Sequence, residues 1–184
     1  MNKKRAFSTG DLARIALMTA LIALCSWISI PGDVPFTLQT FGVFCAVELL
    51  GGRNGTVSVI LYILMGAVGL PVFSGFTGGL DRLLGVTGGY IVGFFFTALI
   101  YWLVISLLGR GTWSLALGMV LGLIVCYAFG TAWFVRVYTR SASPIGFGAA
   151  LAKCVLPFIV PDLVKIGLAL TVTKVLEPHL HRKA

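Results

Sequence analysis

Charge is what this sequence has least of. Asp, Glu, Lys and Arg make up 11% of its 184 residues and hydrophobic residues 58%, where soluble domains carry about a quarter charged residues. That balance excludes a water-soluble globular domain and leaves a polytopic membrane protein. Polar linkers, low-complexity tracts and charge blocks are missing too, so residues 1–184 are expected to form one integral membrane domain. The pattern GxxxxGK[ST] is absent, which excludes nucleotide binding by a P-loop. The four cysteines, Cys25, Cys45, Cys126 and Cys154, stand one per apolar stretch without a CxxC pair. They read as buried small hydrophobes, and neither a metal site nor a disulfide framework is indicated.

Of the two signs of charge the acidic one is the scarcer: six Asp and Glu face 14 Lys and Arg, for a net charge of +8. In a soluble protein such a surplus points to nucleic acid; in this composition it reads as membrane orientation. Met1 to Arg5 is a basic start, but the apolar stretch behind it runs on without a clean cleavage site. It is expected to be a retained first helix and not a removed signal peptide.

Crossing about 30 Å of hydrocarbon takes about 20 helical residues. The apolar runs predict an all-α, six-transmembrane-helix bundle with helices near 12–30, 38–50, 56–70, 86–108, 113–135 and 148–175. The second and third are short, as expected of limbs that tilt, thin the bilayer or stand deep inside the protein. Turns fall at Ile30-Pro31-Gly32-Asp33, at Gly51 to Gly55 and at Gly109-Arg110-Gly111. Pro71 to Gly85 is apolar and Gly-rich, which suits a wall or lid folded into the bundle mouth better than a solvated loop. Lys3, Lys4, Arg5, Arg14, Arg53, Arg110, Lys174, Arg182 and Lys183 then share one side, against Arg82, Arg136 and Arg140 on the other. This bias predicts cytoplasmic termini and places Asp33, Thr37 and Pro71 to Gly85 outside.

Within the apolar run Leu156 to Val172 stand an acid and a base, Asp162 and Lys165. A charge in hydrocarbon costs a few kcal/mol or more, so this pair is a site hypothesis. At i and i+3 the two share a helix face, and Pro157 and Pro161 make the start of that helix irregular. Asp accepts and Lys donates, a combination suited to a neutral ligand with a urea-like or amide edge. An internal salt bridge that only fixes packing is the competing reading.

Gln39 opens the second span behind Pro35-Phe36-Thr37; it reads either as a ligand contact or as an interhelical hydrogen bond of about 1 kcal/mol. Phe36, Phe41, Phe73, Phe76 and Tyr90 add aromatic surface near the same end, where an interfacial belt would also place them. Gly69 to Gly79 combines glycines with the hydroxyls of Ser74 and Thr77, and Arg82 behind it offers a cation for an acid at the rim. Ala16 and Ala20, with Ala13 and Ala23, give the first helix an AxxxA face that another helix can approach closely. Glu48 and Lys153 are further in-span charges, and His179 and His181 fall in a basic tail read as solvated.

Taken together, Ala16 and Ala20, Val34-Pro35-Phe36-Thr37-Leu38-Gln39, Gly69-Leu70-Pro71-Val72-Phe73, Gly88-Gly89-Tyr90 and Pro157 through Lys165 resemble the BioY family. These are the biotin-specific S components of energy-coupling-factor (ECF) vitamin transporters. The resemblance spans nearly the whole chain. It implies a six-helix bundle of the S-component type in a bacterial plasma membrane. Such a bundle captures biotin from outside and works with a transmembrane coupling subunit and two cytoplasmic ATPases, which carry the nucleotide chemistry. By position it puts Gln39, Asp162 and Lys165 around the ureido ring; Phe36 joins the substrate-binding candidates as part of the aromatic surface at the same end. Thr77 and Tyr90 fall near the valerate arm, and Ala16 and Ala20 against the coupling subunit. The chain departs from some relatives in carrying Thr77 where they have Asn and Ile91 where they have Arg, and Arg82 becomes the substitute cation. No cofactor is expected beyond biotin as substrate. Two other classes stay open: a stand-alone secondary transporter of biotin or a related vitamin, and an intramembrane enzyme using Asp162 as acid or base. Against the enzyme stands the lack of a second placed carboxylate, of a Ser or Cys beside a base, and of a metal-ligand cluster.

Overall fold

The computed structural model describes residues 7–32, 34–141 and 144–180; Lys3, Lys4, Arg5, Asp33, His181, Arg182 and Lys183 lie outside them. With no water to satisfy a backbone in hydrocarbon, these apolar runs become helices. Helix α1 (Thr9–Trp27) starts on a reciprocal cap in which Asp11 N donates to Ser8 Oγ (3.1 Å) and Ser8 N donates to Asp11 Oδ2 (3.0 Å). A two-residue hairpin, β1 (Ser29–Ile30) antiparallel to β2 (Phe36–Thr37), links it to α2 (Gln39–Ala67). The residues expected to finish the first span, 28–30, are thus spent on this connection.

Helix α2 is two limbs. Gly51 adopts φ 76°, ψ 172°, a left-handed backbone that costs glycine little, and the chain doubles back there. A Cβ built on Gly55 would stand 2.5 Å from Val47 Cα, which a straight helix never allows eight residues apart. The first arm runs antiparallel to α1, with Gly42 against Ile22 and Cys25. The second runs parallel to it: Asn54 Nδ2 donates to Asp11 Oδ1 (3.2 Å), and Thr19 Oγ1 to the Ser58 carbonyl (3.2 Å). At 1.5 Å per residue the arms span about 18 and 24 Å. The shorter is enclosed by protein, since Gly42 through Glu48 are all buried. One glycine suffices for the turn, so residues 52–55, expected as a loop, are helical.

Beyond α2 a tight turn at Phe73 to Thr77 and the short α3 (Leu80–Leu84) form a wall at the end opposite the amino terminus. Helices α4 (Gly88–Leu108) and α5 (Thr112–Ser141) pack antiparallel, joined by Tyr90 Oη to Thr131 Oγ1 (3.1 Å) and by Thr97 Oγ1 donating to the Gly122 carbonyl (3.0 Å). Helix α5 continues past 135, where the fifth span was expected to end. The expected sixth span is divided into α6 (Phe147–Cys154) and α7 (Leu156–Leu180), with Val155 at φ −125°, ψ −54° between them. Pro157 supplies the reason: a continuous helix would drive its ring into the Lys153 carbonyl.

Among the described residues five helices are long and apolar enough to cross a membrane: Thr9–Trp27, Gln39–Ala67, Gly88–Leu108, Thr112–Arg140 and Leu156–Leu176. The reversal at Gly51 makes six alternating limbs of them. Helix α7 runs parallel to the first arm of α2, touching it at Thr40–Asp162 and again at Glu48, whose Oε2 accepts from Thr173 Oγ1 (3.0 Å). Tyr62, Tyr101, Phe44, Phe73 and Phe134 fill the core.

Candidate ligand-binding site

At the end of the bundle away from the amino terminus, the start of α2, the turn at Phe73, α3, α4, α5, α6 and α7 surround a cleft. It holds some 730 Å³ free of protein atoms, counting the part open to solvent. One pole of it is polar and buried. Asp162 and Lys165 are 2% and 4% exposed and paired at 2.7 Å. Lys165 Nζ also donates to the Thr37 carbonyl (2.7 Å) and to Thr40 Oγ1 (3.0 Å), so its three N–H groups are all engaged. Its ammonium lies 4.5 Å from the Phe36 ring centroid, a cation–π contact.

Asp162 Oδ1 accepts from Lys165 and from Thr40 Oγ1 (2.8 Å), and Oδ2 accepts from Tyr127 Oη (2.5 Å). A carboxylate has about four lone-pair positions. Three are filled, and one on Oδ2 is left for a donor entering the cleft. Gln39, 5% exposed, gives one N–H to Tyr62 Oη (2.8 Å), which itself donates to the Val72 carbonyl (3.2 Å). The second N–H and Oε1 of Gln39 have no partner among the described residues. Asp162 and Gln39 both line the cleft, so these open positions suit a ligand that brings both donors and an acceptor.

The middle of the cleft is apolar: Phe73, Tyr90, Ile91, Phe94, Leu123 and Phe158, with the buried thiols of Cys126 and Cys154. Phe73 sits directly on Gly66, where a Cβ would come within 1.9 Å of the ring. The Phe73 turn is tied to α1 by Trp27, whose Nε1 donates to the Pro71 carbonyl (2.8 Å) and whose ring stacks on Phe76 at 4.9 Å. At the far end stand Ser74, Thr87 and Arg82.

Of the residues singled out in the sequence, Gln39, Asp162, Lys165, Tyr90 and Arg82 come together around this one cleft. Two stand just behind it. Phe36 lies beyond Lys165 and stacks on Phe158 (6.1 Å), and Thr77 Oγ1 accepts from Arg82 Nε (3.0 Å). Ala16 and Ala20 are elsewhere, on the exposed face of α1 beside Leu12, Leu17 and Leu24. Thr40 and Tyr127 escaped the sequence reading although both bond Asp162. The available signal for Tyr127 was a phenol in the middle of an apolar span, since a buried tyrosine hydroxyl usually finds a partner.

The sequence profile of the BioY family matches residues 1–182. The chain belongs to the BioY family. Two relatives extend the comparison. The "Biotin transporter BioY" of Thermotoga maritima is 42% identical over 163 residues, covering 86% of this chain and 90% of that protein. The protein of the same name from Rhodobacter capsulatus is 36% identical over 166 residues, 85% and 87% of the two chains. Among solved structures, the 2.1 Å crystal structure of the S-component for biotin from an ECF-type ABC transporter superposes with a TM-score of 0.82. That match covers 94% of this chain and 95% of the other at 28% identity. The six-limbed bundle of this BioY chain is therefore the S-component fold.

Proposed function

We propose that this BioY chain is the membrane-embedded, biotin-binding subunit of an ECF transporter. The observation that carries the proposal is the buried polar pole inside an otherwise apolar cleft. Biotin is a flat ureido head on an apolar thiophane and tail, ending in a carboxylate. The free lone pair of Asp162 Oδ2 and Oε1 of Gln39 suit the two ureido N–H groups. The second N–H of Gln39, or Lys165 after exchanging one of its partners, suits the ureido carbonyl. Phe73, Tyr90, Phe94 and Phe158 take the thiophane and tail, and Arg82, steadied by Thr77, meets the carboxylate. An apolar pocket with a few placed polar groups is the general form of a small-molecule site.

Release requires energy, and no P-loop is present in this chain, so ATP hydrolysis belongs to cytoplasmic partner subunits. The small-residue face of Ala16 and Ala20 is the docking surface for the transmembrane coupling subunit. The positive-inside bias orients the chain with both termini in the cytoplasm of a bacterial plasma membrane and the cleft toward the outside. A thermal-shift series on the purified chain with biotin, desthiobiotin and thiamine tests the proposal. Both ureido ligands should raise the unfolding temperature and thiamine should not; equal responses to all three would refute it.

A further inference from the structure

The two ends of the cleft differ in a way that sets which ligands it accepts. The ureido-side groups Asp162, Lys165 and Gln39 are 2%, 4% and 5% exposed. Arg82, at the other end, is exposed, and it stands on α3, which has no buried residue. Among the described residues lining the cleft the only cations are Lys165 and Arg82, and every N–H of Lys165 is already engaged. The remaining polar groups at the Arg82 end, Ser74 and Thr87, are neutral hydroxyls, and Ile91 nearby is apolar and 8% exposed. A hydroxyl donates to an amide carbonyl as readily as to a carboxylate.

Resting on the biotin reading, we infer that this site accepts biotin whose carboxylate has been converted to an amide, such as biotinyl-lysine, as well as free biotin. The head and ring of the ligand are held at the buried end. The tail ends at Arg82, an exposed arginine on a helix with no buried residue, so a substituent on the carboxyl carbon points toward the exposed end of the cleft. Losing one exposed ion pair, screened by water and salt, lowers affinity by about fivefold or less. A site that enclosed the carboxylate would instead exclude the amide on both charge and size.

Isothermal titration of the purified full chain with biotin and with biotinyl-lysine tests the inference, repeated on Arg82→Ala. The expected result is a biotinyl-lysine dissociation constant within tenfold of that for biotin. In Arg82→Ala, biotin should weaken about fivefold or less while biotinyl-lysine is unchanged, closing the gap. A wild-type gap larger than tenfold, or an Arg82→Ala variant that weakens both ligands equally, overturns the inference. If biotin binds and the amide does not, this inference alone fails; if biotin itself does not bind, the proposed function fails with it.

Discussion

Replacing Asp162 by Asn removes a charge whose three accepted hydrogen bonds run at 2.5 to 2.8 Å in a setting 2% exposed. Two separate losses follow. Lys165, 4% exposed, is left as an uncompensated buried cation, and breaking a buried pair in this way costs about 3–5 kcal/mol. That is a large share of the roughly 5–15 kcal/mol by which domains are stable, so the unfolding temperature in detergent should fall clearly. Ligand affinity should fall as well, because a hydrogen bond to a charged group is worth about 1.5–3 kcal/mol, or about 10- to 150-fold. The double variant Asp162→Asn/Lys165→Met separates these effects: with no orphan charge, most of the stability should return, while affinity should not. Thermal unfolding and calorimetric titration with biotin measure the two. If Asp162→Asn binds biotin within threefold of wild type, or the double variant regains full affinity, the pair is a packing brace and the binding argument fails.

Tyr127→Phe deletes the donor to Asp162 Oδ2 and should weaken biotin binding by about tenfold, the worth of one charge-assisted hydrogen bond at its lower end; unchanged titration would remove Tyr127 from the site. Gly66→Ala forces the Phe73 ring off its seat. Overpacking costs about 1–3 kcal/mol, so both the unfolding temperature and biotin affinity should drop, and an unaffected affinity would show that Phe73 is not a cleft wall. Ala16→Trp/Ala20→Trp places bulk on an exposed face; biotin titration should match wild type while co-purification with the coupling subunit is lost, and an intact complex would contradict the docking assignment. Gly51→Ala puts a side chain at φ 76°, ψ 172°, a region essentially reserved for glycine, and should lower stability by about 1–3 kcal/mol, read as a reduced unfolding temperature.

The polar pole was legible in the sequence to the extent that its members are conspicuous against hydrocarbon. Asp162, Lys165 and Gln39 stand out because charge or amide in an apolar run demands a reason, and all three line the cleft. Thr40 was not legible because threonine hydroxyls are common in apolar helices and bond their own backbone, and the phenol of Tyr127 calls for a partner without saying which one. Only the parallel approach of α7 to the first arm of α2, with α5 alongside, brings them onto Asp162. Six limbs followed from hydropathy, but the way α2 turns did not. The run Gly51 to Gly55 reads as a loop by composition, whereas one positive φ completes the reversal and leaves the next residues free to be helical. The division of the last span at Val155 was foreshadowed by Pro157, yet a proline near a helix start is also a normal first-turn residue, so the pattern alone does not choose between a cap and a break. Thr77 shows the remaining gap: its hydroxyl supports Arg82 instead of lining the cleft, a difference set by the backbone of a Gly-rich turn.

A crystal structure of the chain grown with biotin decides whether the polar pole is the ureido site. One biotin should lie in the cleft, its ureido ring within hydrogen-bond distance of Asp162 and Gln39 and its carboxylate toward Arg82. Biotin bound elsewhere, or a cleft that stays empty at saturating biotin with the last lone pair of Asp162 Oδ2 still unfilled, would overturn that reading.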